Sequence, residues 1–491
     1  MSPLLISTVL FLTIFLYSLK GPTPSSIPLI NPKSSFDVLG VAAKRDYAIN
    51  GGRVIEAGFK KFGKTKPFRV ISDAGEMIIL PSSMAHDIRN DERLSFAHFI
   101  SKYNHQGIPG FESMSDSALD HRLVKMIQNK LTPSLSKVTE ALSDEVNIVV
   151  RKLFTDNKEK VLDLVAQVSA RAFLGEELCR NPDWLRITKE FSVFGFIAGM
   201  KLRMVPQHLR RLAHWFLPSC RQLRTLREEA IALIKPVVEN RRLKKAVAGS
   251  APQFDDALEW FEQVFDGDEY NAASFQLALS TAAVHSTADL LTQVLFDLIE
   301  NPDLVDDLRK EIVSVIGDTG WKKTAIFKLR LMDSVLKESQ RLKPAITMTM
   351  CREVLSEYQL SDGTLLPKGA LIGISTNGLW DEENWENAGQ FDGYRFLRMR
   401  EKFGGENHWQ LATPTKEHLA FGYGKHACPG RLFATQELKI ILCHLLLKYD
   451  LKMASGEKAR VQQSGILLNA DGNAKIVIRR RLEQYDLRSR I

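Results

Sequence analysis

Cysteine is scarce: the chain has 5 in 491 residues, at Cys179, Cys220, Cys351, Cys428 and Cys443. No two of them have zinc-ligand spacing, and an odd number argues against a disulfide framework. Such usage fits a reducing compartment. An arginine-rich tract is missing, and so is a basic stripe interleaved with aromatics. Nucleic acid is therefore not an expected partner, despite a net charge of +8. Spread along the chain, that charge favours a negatively charged protein partner or an anionic membrane surface. There is no internal repeat, no low-complexity tract and no Gly-x-Gly-x-x-Gly dinucleotide fingerprint. What is present is ample apolar material, 44% of residues, for a large core. Length alone suits about three domains, or one large enzyme fold.

Charge is also absent from the run Leu4 to Leu19, LLISTVLFLTIFLYSL. This run is long for the apolar part of a cleaved signal and slightly short for a bilayer span. No small-residue cleavage site follows. Lys20 comes next, then GPTPSSIP, whose prolines cannot continue a helix. The pattern predicts a signal anchor over 1–20, a proline-rich hinge over 21–35 and one catalytic domain over 36–491. Lys20 is the first charge after the span, which puts the bulk of the chain on the cytoplasmic side. A single-pass location in the endoplasmic reticulum membrane, in contact with lipid, is the expectation.

The remainder reads as mainly α with a smaller β-rich part. Strands are predicted over Phe68 to Ile71 and Glu76 to Leu80, about a turn at Asp73-Ala74-Gly75. From about Leu119 to Val315 apolar residues recur at helical spacing, as in VTEALSDEVNIVVRKLF and QLRTLREEAIALIKPVVENRR. Residues Ala246 to Asp255 read as a surface loop. A long helix with few charges is predicted from Ala272 to Glu300, ended by Asn301-Pro302 and buried along most of its length. A helix from Phe327 to Arg341 follows and stops at Lys343-Pro344. Then come strand-like residues with turns at Asp362-Gly363 and Pro367-Lys368-Gly369. A helix from Leu432 to Tyr449 and a hairpin turning at Asp471-Gly472 complete the chain.

The most specific segment is Phe421-Gly-Tyr-Gly-Lys-His-Ala-Cys428-Pro-Gly430. A thiolate ligand to iron must project from backbone lying close to a flat cofactor. Glycines at 422, 424 and 430 allow that approach and the tight turning it needs. Backbone N–H groups near the sulfur tune its donor strength. The helix that follows places its positive end near the thiolate.

This decapeptide resembles the haem loop of the cytochrome P450 family, Phe-x-x-Gly-x-x-x-Cys-x-Gly, filled here by Phe421, Gly424, Cys428 and Gly430. The family usually has Arg two residues before the cysteine, to contact a haem propionate; here it is His426. Glu338-Ser-Gln-Arg341 resembles the family's Glu-x-x-Arg, with Arg395 of FDGYRF as third member of a structural network. Ala282-Ala-Val-His285-Ser286-Thr287 resembles the oxygen-activating motif on the long helix. It has Ala283 where the family has glycine, His285 where it has an acid, and a hydroxyl at Ser286 followed by Thr287. Leu279, Ala282, Ala283 and Ser286 share one helix face. By position, Arg352, His121 and Lys125 resemble propionate contacts. The resemblance spans roughly residues 36 to 491 and is closest to fungal members that oxidise terpenoid or indole-diterpene secondary metabolites.

The resemblance implies a P450-like fold around haem b (iron protoporphyrin IX) with Cys428 as axial ligand. Thiolate ligation favours O–O cleavage. The implied reaction is a monooxygenation fed by NADPH through a membrane-bound cytochrome P450 reductase. Lys425, Arg431 and Lys439 are candidates for docking that acidic partner. Substrate contacts are expected from Ser95 to Phe111, Leu279 to Ser286, Ala345 to Met350 and Ser464 to Leu468. These stretches are rich in apolar side chains, so the substrate should be bulky and apolar. Two other activities remain open: a haem-thiolate isomerase or dehydratase that needs no reductase, and a non-catalytic haem protein that binds a ligand.

Overall fold

Helical spacing resolves into long helices that pack around one of their number. The computed structural model describes residues 26–34, 37, 40–153, 160–247 and 254–482. Its longer helices are α1 (Val41–Phe62), α2 (Phe96–Tyr103), α3 (Thr132–Leu153), α4 (Lys160–Leu178), α5 (Pro182–Met204), α6 (Pro218–Val247), α7 (Ala257–Phe265), α8 (Ala272–Ile299), α9 (Pro302–Thr319), α10 (Arg330–Leu342) and α11 (Arg431–Lys448). The anchor expected over 1–20 lies outside the described residues, as do residues 21–25 and 35 of the expected hinge and most of the 246–255 loop. Among the described residues no helix is long and apolar enough to cross a membrane.

The organising helix is α8. Asn271 caps it by accepting the N–H of Ser274 at 3.0 Å. It ends at Glu300, before Asn301-Pro302. Helices α4, α5, α6, α10 and α11 all pack against it. Consequently its side chains are buried all round, except along a stretch considered below.

The smaller β part is a five-stranded sheet in the order β1-β2-β7-β4-β3. Its members are β1 (Phe68–Ser72), β2 (Gly75–Leu80), β3 (Leu94–Ser95), β4 (Met348–Val354) and β7 (Leu371–Ser375). The first two form the expected hairpin, with Ser72 opposite Gly75. A short hairpin of β5 (Tyr358–Gln359) and β6 (Leu365–Leu366) encloses the Asp362-Gly363 turn.

Two elements differ from the sequence reading. The helix expected over Phe327 to Arg341 is broken at Leu329 (φ −71, ψ 77) into Lys323–Lys328 and α10. The break is held by Glu311 of α9, whose carboxylate accepts the N–H groups of Leu331 at 2.7 Å and Met332 at 3.0 Å. A distant carboxylate thus caps a helix that the local sequence would continue. At the C-terminus the strands beside Asp471-Gly472 do not pair with each other. Instead β10 (Leu467–Asn469) pairs with β9 (Gln462–Ser464) about Gly465-Ile466, while β11 (Ile476–Arg480) pairs with β8 (Tyr449–Met453).

On the outside, the connection from α5 to α6 exposes a run of large apolar side chains: Leu209, Leu212, Trp215 and Phe216, the last 75% exposed. Arg210 and Arg211 stand among them. Burial, then the charges of Arg210 and Lys33, lower the pKa of Lys44 on α1. Arg210 and Lys33 thus both lie near Lys44.

Candidate functional site

The Cys428 loop is shaped by backbone before any side chain acts. Gly422 and Gly424 have φ of +70° and +80°. A Cβ on Gly424 would fall 2.6 Å from both the carbonyl oxygen and the Cβ of Arg89. That position requires glycine on both counts. The loop is pinned from the same side: Asn90 accepts the N–H of Lys425 at 2.8 Å, and Arg89 donates to the Tyr423 hydroxyl at 2.6 Å. Cys428 then donates its own N–H to the Phe421 carbonyl at 2.9 Å. Burial raises the pKa of the Cys428 thiol; the N–H of Gly430, the charge of Arg431 and the N–H of Arg431 oppose that rise. Helix α11 begins at Arg431, so its positive end also faces the sulfur.

A bulge in β4 decides where Arg352 points. Thr349 pairs with Ile374 and Arg352 with Ile372, so Met350 and Cys351 together oppose Gly373. Met350 takes φ +50°, a left-handed conformation uncommon outside glycine. Directly opposed residues share a face, so the bulge puts Arg352 on the same face as Thr349. Arg352 is 2% exposed. One guanidinium nitrogen donates to the Cys351 carbonyl at 2.7 Å. Its Nε and the other terminal nitrogen have no hydrogen-bond partner. Phe96 stands between this group and His426, 5.6 Å from the guanidinium and 5.9 Å from the imidazole ring. Burial, then the Arg352 charge, pushes the His426 pKa down to about 4.

On α8 the exposed side chains are Ala282 and Ser286, one turn apart. Ser286 donates back to the Ala282 carbonyl at 3.2 Å, which leaves its oxygen lone pairs toward open space. His285 does not share this face. The Lys189 backbone of α5 hydrogen-bonds it, and burial lowers its pKa. Thr281, four residues before His285, turns the same way, with its hydroxyl meeting that of Ser192 at 3.2 Å. Thr287 is buried in the core. Of the three residues expected to act on oxygen, only Ser286 reaches the open face. His285 and Thr287 turn away from it, since one helical position is about 100° of rotation.

Glu338, Arg341 and Arg395 come together in a buried network. Glu338 accepts from Nε and a terminal nitrogen of Arg341, both at 2.8 Å, and from Arg395 Nε at 3.0 and 3.1 Å. The two guanidinium groups also donate to the carbonyls of Leu379, Ala388 and Glu386. His121 and Lys125, by contrast, are exposed on the short helix His121–Met126. His121 meets Asp120 at 3.7 Å, and neither residue has a described contact with the Cys428 loop. Lys439 is not on a docking surface: it is 3% exposed and paired with Asp333 at 2.6 Å, beside Arg400. Arg431 braces the loop from within, donating to the carbonyls of Ala412 and Cys428. Lys425 is exposed.

A family model for cytochrome P450 matches residues 77–477. The chain belongs to the cytochrome P450 family. Its relatives include the cytochrome P450 monooxygenases hepE of Aspergillus oryzae (42% identical, covering 94% of this chain and 87% of that one) and calE of Penicillium decumbens (41%, 99% and 96%). A third, esdpI of Penicillium shearii, is 44% identical over 94% of this chain and 92% of its own. Among solved structures, retinoic acid bound cyanobacterial CYP120A1 has a similar fold, with a TM-score of 0.67 at 17% identity, covering 88% of this P450 and 95% of that chain. This P450 is thus an oxidoreductase of an oxygen-incorporating family.

Members of the family carry haem iron, and the residues present fit it. Cys428 offers a thiol with N–H groups aimed at it. A Cβ built on Gly430 meets nothing within 4 Å, which leaves room for a flat group against the backbone. The two unpartnered nitrogens of Arg352 suit an anionic carboxylate.

Proposed function

We propose that this P450 is a membrane-anchored monooxygenase that places one oxygen atom from dioxygen into a bulky apolar molecule, a terpenoid or indole-diterpene secondary metabolite. Its electrons come from NADPH through a cytochrome P450 reductase. The observation that carries the reading is Ser286, a hydroxyl on the one open stretch of an otherwise buried helix. Haem, when bound through Cys428, supplies the redox chemistry of oxygen activation. Ser286 holds a proton at Oγ, next to the space that Ala282 keeps open. Arg352 and His426 orient the cofactor by its carboxylates. The uncharged run at Leu4 to Leu19 and the exposed Leu212, Trp215 and Phe216 support a lipid-facing side.

The test is product mass after incubating membranes containing the chain and reductase with NADPH, labelled dioxygen and a panel of such scaffolds. Label incorporation that needs NADPH and Cys428 is the expected result. A product of unchanged mass formed without NADPH would replace this reading with an isomerase; haem binding with no turnover would leave a ligand-binding protein. In Ser286→Ala, product formed per NADPH consumed should fall by about tenfold or more, with NADPH oxidation continuing. Unchanged coupling would remove the role given to that hydroxyl.

A further inference from the structure

Asp289 follows Ser286 by three residues on α8, about one turn further along. Its two carboxylate oxygens are divided between partners. Oδ1 accepts the N–H of Ala470 at 2.7 Å. Oδ2 is paired with the ammonium of Lys343. Lys343 follows α10 directly, is 2% exposed, and also donates to the Leu468 carbonyl at 3.4 Å. From there the chain runs through Pro344 into 345–347, which pairs with 466–468. Leu468 N–H donates to Ala345 O at 3.0 Å, and Thr347 N–H to Ile466 O at 2.8 Å. Ile346 and Leu467 form the bridge between them. Ala345 and Leu467 remain exposed on this small ladder.

Two chain segments far apart in sequence are thus joined to each other by backbone and to α8 through Asp289. We propose that the Asp289–Lys343 pair is a positioning device that sets the distance between the 345–347/466–468 wall and the Ser286 face, and so fixes the shape of the substrate space. This rests on the reading above, in which those stretches line that space. A pair of a buried lysine and a half-buried aspartate suits the task. Each partner also holds a backbone group, so the geometry is directional, and a buried charge left alone carries a large penalty. A wall held in advance costs a bulky ligand less ordering on binding.

Spectral titration of the haem-loaded full chain with two azoles tests it. Imidazole senses only the iron; clotrimazole, an imidazole carrying three aromatic rings, also meets the wall. In Asp289→Ala the clotrimazole Kd should rise about tenfold or more, with the imidazole Kd unchanged. Asp289→Asn keeps an acceptor for Ala470 but loses the charge facing Lys343; its clotrimazole Kd should lie between. Equal Kd values in wild type and both variants would overturn the proposal. So would a parallel loss for both azoles, or failure of even Asp289→Asn to load haem, since each marks a purely structural pair. If wild type gives no imidazole shift, it is the haem-site reading that fails, separately from this one.

Discussion

Cys428→Ala yields a chain that no longer shows the thiolate-type spectrum of a carbon monoxide complex and forms no product. The loop explains why the loss should be complete. Its glycine conformations and its ties to Asn90 and Arg89 do not involve the Cys428 side chain, so alanine at 428 leaves them in place. The same holds for the Cys428 N–H to Phe421 bond. Only the sulfur goes, and with it the target of the Gly430 and Arg431 N–H groups. Stability should therefore change far less than function. The measurement is the reduced carbonyl spectrum beside a circular dichroism melt. A retained thiolate spectrum in a folded variant would refute the ligand assignment.

Glu338→Ala has the second large effect, and there the order is reversed, with the fold lost first. Glu338 is fully buried and answers two guanidinium groups, also buried. Removing it leaves two positive charges without a partner in a desolvated place, a penalty of about 3–5 kcal/mol. The carbonyls of Leu379, Ala388 and Glu386 still accept from the arginines, but they carry no net charge. Little or no haem-loaded protein should accumulate. Glu338→Gln should recover part of it, since one amide oxygen still accepts. Denaturant unfolding with haem content decides the matter; a Glu338→Ala unfolding free energy within about 1 kcal/mol of wild type would show that the network does not hold the fold.

What could be read from sequence was whatever is written locally. The long helix announces itself by an apolar run between Asn271 and Asn301-Pro302, and the cysteine loop by its glycines, of which Gly424 has no room for a side chain. The unread features depend on partners far along the chain. Glu311 splits a helix 20 residues away, and β11 finds β8 rather than its neighbour. A lysine in a helix reads as surface, yet Lys439 is buried because Asp333 waits for it. His285 is next to Ser286 in sequence, yet one position of helical rotation turns it toward α5. The bulge at Met350 changes the parity of β4, so alternation alone misassigns the face of Arg352. Asp289 and Lys343 are 54 residues apart, so no local pattern links them. The one local hint was a lysine just before Pro344 at a helix end.

The apolar run between α5 and α6 has a practical consequence if that side faces lipid. An anchor and a folded patch on one protein make a bivalent attachment, in which each holds the other at high effective concentration. Deleting residues 1–20 would then not yield a detergent-free enzyme. The shortened chain should still sediment with anionic vesicles, weakly and reversibly, and Trp215→Ser with Phe216→Ser should release it.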